Sequence, residues 1–157
     1  MKIYLYWFPS SKENWLKEFI ETYEKKISFY QTFQVEALRV KKAGRESSEI
    51  KKEHEEKILL SKIRDSDYVI VFDEKGYSCK DSIEFSQKLV HALESSKQRI
   101  VFIIGGAFGL GDKVIERSDM RLSFSKLTYS HQVAMVVGLE QIFRSFTIYK
   151  GHPYHNA

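Results

Sequence analysis

Cysteine is nearly absent from this 157-residue chain, which has a single one, Cys79. One thiol excludes an internal disulfide framework and fits a reducing compartment, so a cytoplasmic location is expected. No Cys or His is spaced around it for metal binding or catalysis, which leaves Cys79 as an ordinary loop or helix-start residue. Long apolar runs are missing too. The run from Ile3 to Phe8 stops at Pro9 and gives way to charged, helix-like sequence, and nothing approaches the roughly 18 residues of a membrane span. No membrane association is expected. The common ligand signatures are absent as well: there is no Gly-Lys-Ser/Thr ending for a P-loop and no G-x-S-x-G nucleophile elbow.

What is present describes a folded, slightly basic protein. Hydrophobic residues make up 43% and charged residues 29%, an ordinary globular balance that argues against disorder. Lys and Arg total 25 against 21 Asp and Glu, for a net charge of +4, which leans toward a polyanionic partner such as RNA. The length suits one well-buried α/β core and is short for two, so residues 1–157 are read as a single domain.

Hydrophobic periodicity alternates along the chain. Ile3 to Phe8 reads as a strand buried on both faces. Ser10 and Glu13 form a capping box ahead of a helix in which Trp15, Phe19, Tyr23 and Ile27 recur every four residues. Phe33 to Val40 is a second strand, followed by a basic loop carrying Lys41, Lys42 and Arg45. Ser47 to Arg64 is a helix whose mixed Lys and Glu residues are most simply a solvated face. Tyr68 to Asp73 is a strand ending in the turn Glu74-Lys75-Gly76, and Ser82 to Ser95 a helix. Arg99 to Ile104 is a fourth strand; Asp112 to Ser118 reads as a short helix, Met120 to Phe124 as a short strand, and Ser130 to Ile148 as a long helix. Strands alternating with helices imply a mostly parallel sheet covered by helices on both faces.

Three segments stand out chemically. Gly105-Gly106-Ala107-Phe108-Gly109-Leu110-Gly111 follows a strand, but its spacing differs from G-x-G-x-x-G and no ribose-reading acid follows on a new strand. It is either a sharp strand-to-helix corner or a seat for a ligand whose flat part lies against backbone without Cβ atoms. In Leu122-Ser123-Phe124-Ser125-Lys126-Leu127-Thr128-Tyr129-Ser130-His131-Gln132, Ser130 can cap the last helix, with His131 in its first turn. That helix has an apolar stripe of Val136, Leu139, Phe143 and Phe146, and Glu140 and Arg144 are i, i+4 ion-pair partners. The tail, Gly151-His152-Pro153-Tyr154-His155, is too aromatic and rigid for a fraying terminus and points to docking or chemistry. Two histidines three apart with no third ligand imply no metal site.

Taken in order, Ile104-Gly105-Gly106, Leu127-Thr128-Tyr129-Ser130-His131-Gln132, Glu140-Gln141-Ile142-Phe143-Arg144 and His152-Pro153-Tyr154-His155 resemble the ribosomal RNA large subunit methyltransferase H family over essentially the whole chain. The resemblance implies a SPOUT-type methyltransferase: an α/β fold with a parallel sheet, helices on both faces and a C-terminal trefoil knot. It implies S-adenosylmethionine as cofactor, a homodimer, and methylation of N3 of a pseudouridine in the helix 69 loop of 23S rRNA on assembled ribosomes. Carried over by motif, Phe72, Gly105, Gly106, Phe124, Ser125, Lys126, Leu127, Thr128 and Tyr129 would contact the cofactor. His131, Arg144, Tyr154 and His155 would face the RNA or the reacting base. The chain departs from the family pattern at Ala107-Phe108, where relatives often have Pro or another residue with an acid, and at Met135, where they often carry an arginine. A fold retained for ribosome binding without catalysis, or a nucleotide-dependent α/β enzyme, are the competing classes.

Overall fold

The computed structural model describes residues 1–10, 14–41 and 47–156. Five strands, β1 (Lys2–Trp7), β2 (Phe33–Ala37), β3 (Asp67–Ser78), β4 (Arg99–Ile104) and β5 (Met120–Ser123), form one parallel sheet in the order β2-β1-β4-β3-β5. Five helices connect and follow them: α1 (Asn14–Ser28), α2 (Ser48–Lys62), α3 (Ser82–Leu93), α4 (Asp112–Arg117) and α5 (His131–Tyr149). Each strand's alternation assigns its side chains to one of two cores. In β4, Ile100, Phe102 and Ile104 face the larger core, which also holds Leu16 of α1, Leu89 of α3 and Leu139 of α5. Val101 and Ile103 face the smaller one, with Leu59 of α2 and Val114 of α4. The sheet is therefore sandwiched between α1, α3 and α5 on one side and α2 and α4 on the other.

The helix starts follow local capping chemistry. Ser47 accepts from the Ile50 N–H at 3.3 Å, Asp81 from Glu84 at 2.8 Å, and Ser130 from Val133 at 3.3 Å, each satisfying a first-turn donor that the helix itself cannot pair. Met135 is fully buried beside Leu139 and Ile142, so position 135 of this chain is a packing position.

Several elements differ from the sequence reading. β2 stops at Ala37 rather than Val40. In α1 the buried positions are Leu16 and Ile27, with Phe19, Ile20 and Tyr23 packed at the edge, whereas Trp15 is exposed: the inward stripe runs one residue beyond Trp15. Glu13 of the expected capping box lies outside the described residues. The expected turn at Glu74-Lys75-Gly76 is instead part of the long strand β3. A register shift after Phe72 lets Tyr77 and Ser78 rejoin β5 opposite Leu122 and Ser123. Gly76 allows that close pass, since a Cβ there would lie 2.7 Å from the Leu122 backbone.

At the N-terminal edge of the sheet, fully buried Asp67 takes two hydrogen bonds of 2.7 Å from Arg99, joining the first residues of β3 and β4. The Asp67 carboxyl would be raised by burial, but the Arg99 guanidinium and the Arg64 N–H hold it below the ordinary range. This clip lies at the opposite end of the strands from the glycine segment.

Candidate active site

The strand order decides where ligands can bind. Because β4, β3 and β5 are sheet neighbours, the segments leaving their C-terminal ends converge: Phe72 onward, Gly105 onward and Phe124 onward. Together they enclose a cavity of about 620 Å³, within the range of small-molecule sites. Of the nine residues expected to contact a cofactor, eight line it: Phe72, Gly105, Gly106, Phe124, Ser125, Leu127, Thr128 and Tyr129. Lys126 is exposed and is not among the lining residues.

The wall is built in an ordered way. Phe124 stacks on Phe72 at 4.4 Å between ring centroids, and Phe72 on Phe102 at 5.6 Å, which ties the floor to the core. The Ser125 hydroxyl accepts from the Leu127 N–H at 3.0 Å and lies 3.1 Å from the Tyr129 hydroxyl, folding residues 125–129 over the opening. Thr128 donates to Glu74 at 3.0 Å, closing the same segment onto the end of β3. Leu127 is 69% exposed, and Tyr129 and Val133 are exposed beside it, an apolar rim that water covers poorly.

The glycines make room for the protein's own atoms. A Cβ on Gly105 would meet the Gly109 backbone at 2.9 Å, and one on Gly106 the Glu55 carboxylate at 2.6 Å. Gly111 is similarly pressed by Glu56, which accepts from the Lys113 N–H at 3.0 Å at the start of α4. Gly109 closes the turn with a hydrogen bond of 3.1 Å to the Gly106 carbonyl, in a left-handed conformation (φ 82°) that favours glycine. Burial pushes the Glu55 carboxyl up, and the facing Gly106 N–H pulls it part of the way back. Two carboxylates stand where a phosphate-binding loop would present its anion-attracting groups, so the segment is no phosphate cradle. These α2 acids had read as a solvated face; nothing in helical periodicity shows that they touch a segment some fifty residues away.

The residues expected to face the RNA divide between two places. His131 lines the cavity, with its Nε2 3.1 Å from the Ser10 hydroxyl, to which Gln132 also donates. Arg144 sits 13 residues further along α5, about 20 Å away by helical rise. There it meets the tail: Arg144 Nη1 is 3.0 Å from His155 Nδ1, and its guanidinium lies 4.6 Å from the centre of the Tyr154 ring. Arg144 also pairs with Glu140 at 2.9 Å, as the i, i+4 spacing predicts. The sequence pairs Glu140 with Arg144 and places Tyr23 in the α1 stripe, but does not join either of them to the tail. Glu140 accepts from Tyr154 at 2.8 Å and from Tyr23 of α1, a residue 117 positions away. Burial would raise the Glu140 carboxyl, but these three donors hold it below its ordinary value, and the shared hydrogen bond raises the Tyr154 phenol. Of the basic loop, Lys41 is exposed, while Lys42 and Arg45 lie outside the described residues.

Comparison with known proteins bears on this arrangement directly. The family model described as "Predicted SPOUT methyltransferase" matches residues 1–155. The Ribosomal RNA large subunit methyltransferase H of Bdellovibrio bacteriovorus is 46% identical over 156 residues, covering 99% of both chains. The chain belongs to the ribosomal RNA large subunit methyltransferase H family. The enzyme of the same name from Cytophaga hutchinsonii is 35% identical across 99% of this chain and 100% of its own. Among solved structures, a methylase-family protein of Haemophilus influenzae superposes with a TM-score of 0.55 at 11% identity, over 99% of this chain and 70% of that one. A methyltransferase of Legionella pneumophila, solved with SAM bound, gives 0.51 at 11% identity, over 92% of this chain and 66% of that one. At that identity they speak for the fold alone. This member of the methyltransferase H family thus has a SPOUT-type α/β fold with a parallel sheet.

Proposed function

We propose that the protein is an S-adenosylmethionine-dependent methyltransferase acting on N3 of a pseudouridine in the helix 69 loop of 23S rRNA, on assembled cytoplasmic ribosomes. The observation that carries the reading is the convergence of three neighbouring strand ends on one cavity in a chain of this family. The cavity suits the cofactor. Phe72, Phe124 and Leu127 offer apolar surface to an adenine, Gly105 and Gly106 bring backbone close, and Asp73 and Glu74 supply carboxylates for a ligand that is a cation at its sulfonium and amino groups. Lys126 and the trefoil threading of the C-terminal part belong to the same reading.

The separation within α5 supports a homodimer as part of this reading. A site that uses both the cavity and the Arg144, Tyr154 and His155 cluster cannot be assembled across about 20 Å of one helix, so the tail of one protomer serves the cavity of the other. Exposed Trp15, Leu127, Tyr129 and Val133 supply apolar surface for that contact.

When bound, S-adenosylmethionine supplies a sulfonium-activated methyl group for in-line displacement by the acceptor nitrogen. The protein's task is to hold that nitrogen in line and to manage the proton it carries. A guanidinium is always a donor, so the contact with Arg144 makes His155 Nδ1 an acceptor, with the imidazole proton on the buried Nε2. Arg144 turning to a base carbonyl or phosphate frees Nδ1 to take the N3 proton. Tyr154, whose phenol is raised and already donates to Glu140, acts as a donor and stacking surface rather than the base. His131 contacts the RNA from the cavity rim.

The test is labelled methyl transfer to ribosomes and to free rRNA, followed by mapping of the modified nucleoside. Label at N3 of a helix 69 pseudouridine, obtained with ribosomes only, is the expected result. Calorimetry showing no S-adenosylmethionine binding at millimolar ligand would instead favour a ribosome-binding protein without catalysis.

A further inference from the structure

One face of α2 grips the glycine segment at three points. Lys51 lies 5.9 Å from the centre of the Phe108 ring, Glu55 fills the space beside Gly106, and Glu56 caps the start of α4. Lys51 and Glu55 are i, i+4 neighbours on one side of the helix, and Glu56, next in the chain, reaches the start of α4 from the edge of that side. The turn they hold has little of its own to fix it. A Cβ on Gly109 would meet nothing within 4 Å, and Gly106 and Gly109 face each other across one isolated antiparallel bridge that includes the Gly109 N–H to Gly106 carbonyl bond. The Gly111 cap of α4 has no side-chain hydrogen bond, so Glu56 substitutes for a local cap from another element.

Glu55 is the unusual member. Its Oε1 is buried with no hydrogen-bond partner among the described residues. Such a carboxylate costs desolvation, which offsets the stability lost when the buried Gly106 N–H loses its acceptor, so its removal should change global stability little. Its contact is with the Gly106 peptide, which lines the cavity, whereas Glu55 itself is not among the lining residues.

We propose that Glu55 is a positioning residue for the cofactor: from helix α2 it clasps the Gly106 peptide and so sets the glycine wall of the cavity without touching the ligand. The cofactor part rests on the S-adenosylmethionine reading above; the clasp itself does not.

The experiment has two arms on the full-length protein. Amide hydrogen exchange without ligand reads the clasp: in Glu55→Ala, residues 105–109 exchange at least several-fold faster while β4 is unchanged. Calorimetry with S-adenosylmethionine reads the consequence: Kd weakens about tenfold in Glu55→Ala as the glycine wall loses its fixed position, with the melting temperature within a few degrees of that of the unsubstituted protein. Glu55→Gln keeps an acceptor for the Gly106 N–H and restores Kd to within about threefold. Unchanged exchange at 105–109 overturns the clasp. Faster exchange with unchanged Kd overturns the positioning role, as does a Kd loss that tracks a fall in melting temperature or is equally large in Glu55→Gln. Faster exchange in a protein whose unsubstituted form does not bind S-adenosylmethionine leaves the clasp standing and removes the cofactor reading instead.

Discussion

Around the strand-end cavity, recognition surfaces are mostly backbone, aromatic rings and hydroxyls, fixed by a sheet whose neighbouring strands leave little freedom. At the far end of α5 the surface is made of Arg144, Glu140, Tyr154 and His155, tied to one another and to Tyr23 by hydrogen bonds. The first region suits a ligand that must be enclosed and held still. The second suits a step in which charge and protons move, because its donors can exchange partners at small cost. Their separation along one helix means that neither region alone performs the reaction we propose.

The largest effect is expected from Arg144→Ala. It should lower methyl transfer by about 100-fold or more, the scale of losing a proton-managing or charge-stabilising group, while the Kd of the cofactor stays within about twofold. A comparable loss of cofactor affinity would merge the two regions into one. Phe124→Ala addresses the other side. Removing the ring stacked on Phe72 should raise KM for the cofactor about tenfold, in line with a lost aromatic contact, and leave kcat at saturation within about threefold.

A mixed-subunit experiment follows. Dimers formed from Arg144→Ala and Phe124→Ala chains contain one site with both defects and one with neither if the tail acts in the partner's cavity. At cofactor well below KM, where Phe124→Ala homodimers are about tenfold less active and Arg144→Ala homodimers nearly inactive, the mixed dimers should recover about half of the normal activity per dimer. No recovery would mean that each chain completes its own site.

The smallest functional effect is expected at the structural clip, which serves as the control for both regions. Asp67→Asn should lower stability by about 3 kcal/mol or more, by leaving Arg99 without its counter-charge, and leave the cofactor Kd of the folded protein unchanged. The carboxyl of Asp67 is lower in the folded chain than in the unfolded one, so its contribution to stability is complete above the unfolded value near pH 4. It is lost as pH falls through the lower folded value. Acid unfolding of the Asn variant should therefore be flatter across that window than that of the unsubstituted chain, as measured by circular dichroism.

Much of this organisation is legible in the chain itself. The apolar run from Ile100 to Ile104 is a central strand because every one of its residues is buried on one face or the other, which is what a continuous apolar run requires. The motif around Phe124 to Tyr129 and the His-Pro-Tyr-His tail are chemically unusual in the sequence alone. Other features were hidden for definite reasons. Gly76 looked like a turn because Glu-Lys-Gly is turn chemistry; only its passage against Leu122 shows why a glycine belongs inside a strand. Trp15 reads as inward because it continues the four-residue spacing of Phe19, Tyr23 and Ile27, yet the helix turns Leu16 inward instead.

Periodicity and neighbours three or four positions away fix the alternation of strands and helices, the caps of α2, α3 and α5, and the residue types available for chemistry. Tertiary structure alone decided which of those residues meet. It placed β3 between β4 and β5, so that Phe72, Gly106 and Phe124 share one cavity. It also brought Glu55 to Gly106 and Tyr23 to Glu140, contacts between segments far apart in the chain that no local pattern encodes. Such pairings are set by the order in which strands add to a sheet and by the faces on which helices cross it.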